Sequence, residues 1–147
     1  DLVRSRGLGD VYKRQVCMVE YGKIFKCEDC GSIVEVLVDA HEEKVCCDSS
    51  KNIIEPQTEG DKAPKHVPVI SVDGNEVTVA VGEVQHPMDD DHFIQFVELI
   101  VGDERYIKHF KPGDVPKATF TVDADLLAAN EAIAREFCNL HGLWASQ

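Results

Sequence analysis

The chain has 147 residues with a formal net charge of −12 and a 44% hydrophobic fraction, enough for one domain or for a small one joined to a medium one. That acidity excludes a phosphate-backbone partner such as nucleic acid, which needs clustered Lys and Arg. No apolar run approaches the roughly 18–20 residues needed to span a bilayer, so no membrane association is expected.

Six cysteines stand at 17, 27, 30, 46, 47 and 138. A Cys-x-x-Cys pair, an adjacent pair and one remote residue suit metal ligation in a reducing cytoplasm better than a disulfide framework. No apolar signal region precedes them.

Residues 1–17 carry Arg4, Arg6, Lys13 and Arg14 against Asp1 and Asp10, with neither helical nor strand periodicity. They are expected to be a non-native or disordered leader, with the compact protein starting at Met18 and Cys17 outside any site.

Residues 18–56 form a small module. Lys23–Lys26 predicts a short strand leading into Cys27-Glu28-Asp29-Cys30-Gly31, and Ile33–Val38 a second strand before Cys46-Cys47. So short a segment cannot bury a self-sufficient core, so a bound metal must contribute to its folding. Four thiolates suit tetrahedral zinc or a mononuclear iron equally well. Residues 57–64, polar with Gly60 and Pro64, read as a linker.

From Lys65 to residue 147 the pattern is β. Val67–Val72, the turn Asp73-Gly74-Asn75, and Val77, Val79 and Val81 alternating with Thr78 and Ala80 predict a hairpin. Phe93–Val101, Arg105–Phe110 and Ala118–Val122 follow, separated by turn residues, as expected for an antiparallel sandwich. Leu126 to about Ala134, rich in Ala and Leu, predicts a short helix, followed by extended chain into Cys138.

Taken singly, each histidine is an ordinary loop or core residue, and His41 and His109 are assigned to the surface. The context of four others differs. His66 is expected to open the first sandwich strand, His86 and His92 bracket one loop, and Cys138-x-x-His141 lies in another. Strand ends and loops are where a β scaffold presents ligands. Four imidazoles and a thiolate around iron leave one octahedral position open. Lys65 lies directly beside His66.

The order Lys65-His66-Val67-Pro68, His86-Pro87-Met88, His92 and Cys138-Asn139-Leu140-His141-Gly142 closely resembles desulfoferrodoxin, the two-iron class of superoxide reductase. Cys27-x2-Cys30-Gly31 and Cys46-Cys47 resemble its desulforedoxin-like domain. The resemblance spans Tyr21 to Trp144. It implies a desulforedoxin-like domain followed by an immunoglobulin-like β-sandwich. It further implies iron held by Cys27, Cys30, Cys46 and Cys47, and a catalytic iron with His66, His86, His92 and His141 equatorial and Cys138 axial. The implied reaction is reduction of superoxide to hydrogen peroxide by one electron and two protons, with Lys65 as the cation expected to attract the anion and orient a proton-bearing water. The implied donor is rubredoxin, and the implied assembly a homodimer.

Two departures stand out. The family often has a Glu before this lysine; here Pro64 occupies the place. Asp89-Asp90-Asp91 makes the loop before His92 acidic, and it reads as a solvated loop because it lacks the Gly and distal Glu of a calcium loop. The Leu126–Ala134 segment reads as a peripheral insertion. A non-catalytic electron-transfer iron protein and a zinc-stabilised interaction module are the competing functional classes.

Overall fold

A computed structural model describes residues 20–39 and 53–147. They fall into two compact units, divided between Glu55 and Pro56.

In the first unit, β1 (Ile24–Lys26) is the centre of a three-stranded antiparallel sheet, flanked by β2 (Ile33–Glu35) and β3 (Ile53–Ile54). The second strand is shorter than the Ile33–Val38 expectation. Val36 still bonds Lys23 across the ladder, but beyond it Asp39 turns to accept from the Tyr21 N–H at 2.7 Å. His41, Cys46 and Cys47 lie outside the described residues.

The second unit is the expected mainly β, immunoglobulin-like antiparallel sandwich. One sheet has the order β10-β9-β6-β7, from β10 (Gly142–Ala145), β9 (Ala132–Cys138), β6 (Ile94–Val101) and β7 (Glu104–His109). The other has β4 (Pro68–Asp73), β5 (Glu76–Val81) and β8 (Lys117–Thr121), with β5 in the middle. Strand alternation builds the core directly. Val77, Val79 and Val81 of β5 meet Val97, Leu99 and Val101 of β6, and all six are buried.

Two expectations are corrected. His66 does not open a strand: it ends a single helical turn, α1 (Ala63–His66), and β4 starts two residues later. Pro64 explains the difference, since its fixed φ and missing N–H suit the first turn of a helix. The predicted Leu126–Ala134 helix is α2 (Ala124–Ala129), capped by the Asp123 carboxylate, which accepts from the N–H groups of Asp125 and Leu126. Asn130 is already extended, and Ala132 pairs with Val101 of β6. Sheet pairing outweighs the helix preference of the Ala-rich segment.

Two carboxylates are buried along β6 and β9. Glu98 receives a forked contact from Arg135, at 2.9 Å from Nε and 2.5 Å from a terminal nitrogen. Glu136 is fully buried, opposite Val97 and Trp144, and neither of its oxygens has a hydrogen-bond partner among the described residues. Burial pushes its pKa up to about 9.

Candidate metal centre

The five side chains singled out from the sequence come together at one end of the sandwich. His66 arrives from α1, His86 and His92 from the β5–β6 connection, Cys138 from the end of β9, and His141 from the β9–β10 turn. One donor atom from each lies within 4.8 Å of every other. The four imidazoles form a closed cycle, each nearly perpendicular to its neighbours. Ring centroids are 4.5 Å apart for His66–His86, 4.6 Å for His86–His92, and 4.9 Å for both His92–His141 and His141–His66.

Ring orientation follows from hydrogen bonds to the outer nitrogens. His66 Nδ1 lies 2.8 Å from the Lys62 carbonyl and His86 Nδ1 2.6 Å from the Pro87 carbonyl. A carbonyl only accepts, so both Nδ1 atoms carry the proton and both Nε2 atoms turn bare lone pairs inward. Those two Nε2 atoms are 3.1 Å apart, and His66 Nε2 is 3.2 Å from His141 Nδ1. Burial holds His66 below the usual imidazole range and takes His86 down to about 4, so neither ring charges near neutral pH. His141 is likewise lowered, first by desolvation and then by the neighbouring His92. His92 Nε2 is buried with no partner among the described residues. Neutral lone pairs packed this closely repel one another unless a cation sits among them.

Cys138 is fully buried, its Sγ 3.4 Å from His86 Nε2 and 3.8 Å from His141 Nδ1. Desolvation raises its pKa, against the lowering effect of the Leu140 and His141 N–H groups. Four imidazoles and one thiolate are a borderline-soft donor set suited to iron.

The scaffold holds these donors at specific places. Asp89 and His92 exchange backbone hydrogen bonds of 2.9 and 3.2 Å, so the acidic triplet forms the tight turn that presents His92. Asn139, a neighbour of Cys138, reaches both residues flanking His92. Its Oδ1 accepts from the Phe93 N–H at 2.9 Å and its Nδ2 donates to the Asp91 carbonyl at 3.1 Å. A register shift between Ile94 and Phe96 in the β6–β9 ladder lies beside the Ile94–Cys138 pair. Trp144 stacks on His66 at 5.0 Å, and its indole N–H donates to the His141 carbonyl at 3.1 Å. Gln57 Nε2 donates to the same carbonyl at 2.9 Å. The positioning roles of Asn139, Trp144 and Gln57 are not legible in the sequence, because nothing in a single sequence marks a side chain that bonds a ligand's peptide.

Lys65 is exposed, next to the buried His66. Lys62 is a second cation that the sequence reading passed over: its charge contributes to the lowering of both His66 and His141. His109 is exposed at the end of β7, as expected of a surface residue.

In the first unit, Gly31 takes φ +78°, its N–H donates to the Cys27 carbonyl at 2.7 Å, and the Cys27 N–H donates to Ser32 at 2.9 Å. This closes a tight knuckle that places Cys27 and Cys30 together, and the Ser32 hydroxyl, 3.2 Å from Cys30 Sγ, leads the groups that hold that thiol below its ordinary range.

Residues 58–147 match the family model of desulfoferrodoxin, and residues 19–52 match that of the desulfoferrodoxin N-terminal domain. The chain belongs to the desulfoferrodoxin family. The desulfoferrodoxin of Syntrophotalea carbinolica is 44% identical over 130 residues, covering 88% of this chain and 99% of that one. The superoxide reductase of Pyrococcus abyssi is 31% identical over 102 residues, covering 58% and 87%. Among solved structures, the superoxide reductase from Treponema pallidum superposes with a TM-score of 0.57 at 37% identity, covering 65% of this chain and 77% of that one. Membership implies iron, and the donor set of the His4Cys cluster suits it. Among the described residues no helix is long and apolar enough to cross a membrane.

Proposed function

We propose that this chain is a superoxide reductase that reduces superoxide to hydrogen peroxide at an iron held by His66, His86, His92, His141 and Cys138. The observation that carries this reading is the closed cycle of four imidazoles beside a buried thiol, one donor atom from each within 4.8 Å of every other. Iron bound there supplies the electron and an open coordination position for the substrate.

The chain's own residues do the rest. Lys65 and Lys62 set a local positive field for an anion on a protein whose net charge of −12 would otherwise repel it. Lys65, adjacent to His66, orients the water that delivers a proton. The Nδ1–H groups of His66 and His86, tied to carbonyls, keep their rings from turning away. Pro64 stands where the family often has a Glu, so a carboxylate from that position takes no part.

Cys27, Cys30, Cys46 and Cys47 hold a second ion, iron or zinc, in residues 18–56. A rubredoxin-like protein supplies the electron, and the working form is a cytoplasmic homodimer. The test is stoichiometric. Reduced, iron-loaded protein mixed with superoxide should yield one peroxide per superoxide consumed and no dioxygen. Dioxygen release would mean dismutation, and absence of rapid oxidation would leave an electron-transfer role.

A further inference from the structure

We propose that Gln57 is a positioning residue for the metal centre, fixing the peptide that carries His141; this rests on the iron reading above. His66 and His86 are oriented by their own outer nitrogens, which bond carbonyls. His141 is not held that way: it turns Nδ1, the nitrogen nearer its backbone, toward the cluster, and among the described residues nothing bonds its outer Nε2. Its ring placement therefore follows its peptide closely.

That peptide is fixed from outside. The His141 carbonyl accepts from Gln57 Nε2 at 2.9 Å and from Trp144 Nε1 at 3.1 Å. The next residue, Gly142, has φ +83°, and a Cβ built there would lie 3.5 Å from Gln57 Nε2, so the amide lies directly over the turn. Gln57 is itself anchored by its backbone. Its N–H donates to the Leu143 carbonyl at 2.9 Å, and its carbonyl accepts from the Ala145 N–H at 3.0 Å. The bridge survives substitution by Glu or Ala, so the amide can be altered alone. Gln57 is exposed, and truncating it leaves no core cavity.

A control lies one residue away. Gln147 Nε2 donates to the Thr58 carbonyl at 2.6 Å, tying down the same segment without touching a ligand's peptide.

The experiment compares Gln57→Glu, Gln57→Ala and Gln147→Ala in the full, iron-loaded chain. Iron release to a ferrous chelator is followed, and the release phase missing in His141→Ala marks the five-residue site. Both Gln57 variants should lose that iron about 10-fold faster than wild type, the usual scale for outer-shell partners of a ligand, with Gln147→Ala unchanged. In the metal-free chain, the indole N–H of the single Trp should exchange faster with solvent in the Gln57 variants, as the shared carbonyl loosens. Release at the wild-type rate, or equal acceleration in Gln147→Ala, overturns the proposal. A wild-type chain that binds no iron at this site overturns the iron reading, and the proposal with it; normal wild-type loading with unaltered Gln57 variants overturns the proposal alone.

Discussion

Gly82 lies against the backbone of Lys65: a Cβ built on Gly82 would stand 2.7 Å from both the carbonyl carbon and the carbonyl oxygen of Lys65, and 2.6 Å from the Val84 carbonyl oxygen. The same segment is bonded on either side, with the Gly82 N–H donating to Val67 and the Val84 N–H to Pro64. Gly82→Ala should therefore displace α1 and with it His66 and Lys65. Gly74, at φ +65° with open space around it, isolates the backbone cost alone, about 1–2 kcal/mol for a left-handed non-Gly residue. Denaturant titration should show Gly82→Ala more destabilised than Gly74→Ala, with slower superoxide reduction in the first only. Equal losses would refute the close packing.

Glu136 makes stability depend on pH. Its folded value of about 9 stands well above the ordinary glutamate value of 4.5, so over that interval the folded chain keeps a proton that the unfolded chain releases. Stability should fall as pH rises from about 4.5 to about 9 and then level off. Glu136→Gln should flatten that slope. Urea midpoints across the interval decide it, and an unchanged slope in the variant would assign the dependence elsewhere.

Metal uptake at the five-residue site should release close to one proton. Burial holds His66 and His86 neutral, while the raised Cys138 thiol still carries its proton in the metal-free state. Calorimetry in buffers of different ionisation enthalpy measures the number. Cys138→Ser should lower it by one and abolish peroxide formation while the sandwich still folds. A variant that retained full activity would remove Cys138 from the centre.

Lys62→Ala and Lys65→Ala should each slow superoxide capture at low salt by roughly 2- to 5-fold, with the losses shrinking as salt screens the field. Stopped-flow or pulse radiolysis against ionic strength reads this. A Lys65→Ala rate equal to wild type at low salt would leave Lys62 as the steering charge.

The alternation of Val77, Val79 and Val81 made the hairpin and its buried face readable, because a half-buried strand writes its burial into every second residue. The five cluster residues were readable for a different reason: His and Cys at loop positions have few structural uses in combination. What escaped was everything acting through the backbone. The bond from His66 Nδ1 to Lys62 belongs to a helical turn that strand periodicity hides. Gln57 sat in a polar, turn-rich stretch that read as a linker, and only the fold brings it against Trp144. The end of α2 escaped because Asn130 and Ala132 answer to β6 rather than to local propensity.

His66 and His141 are 75 positions apart in sequence and 3.2 Å apart in space. An ion gripping both ties the entrance of the sandwich to its final hairpin, much as a disulfide would, and closes a loop containing almost the whole second unit. Resistance to proteolysis then becomes a reading of iron occupancy. The iron-loaded chain should therefore be digested more slowly than the same chain without iron, with the digestion half-life rising with occupancy.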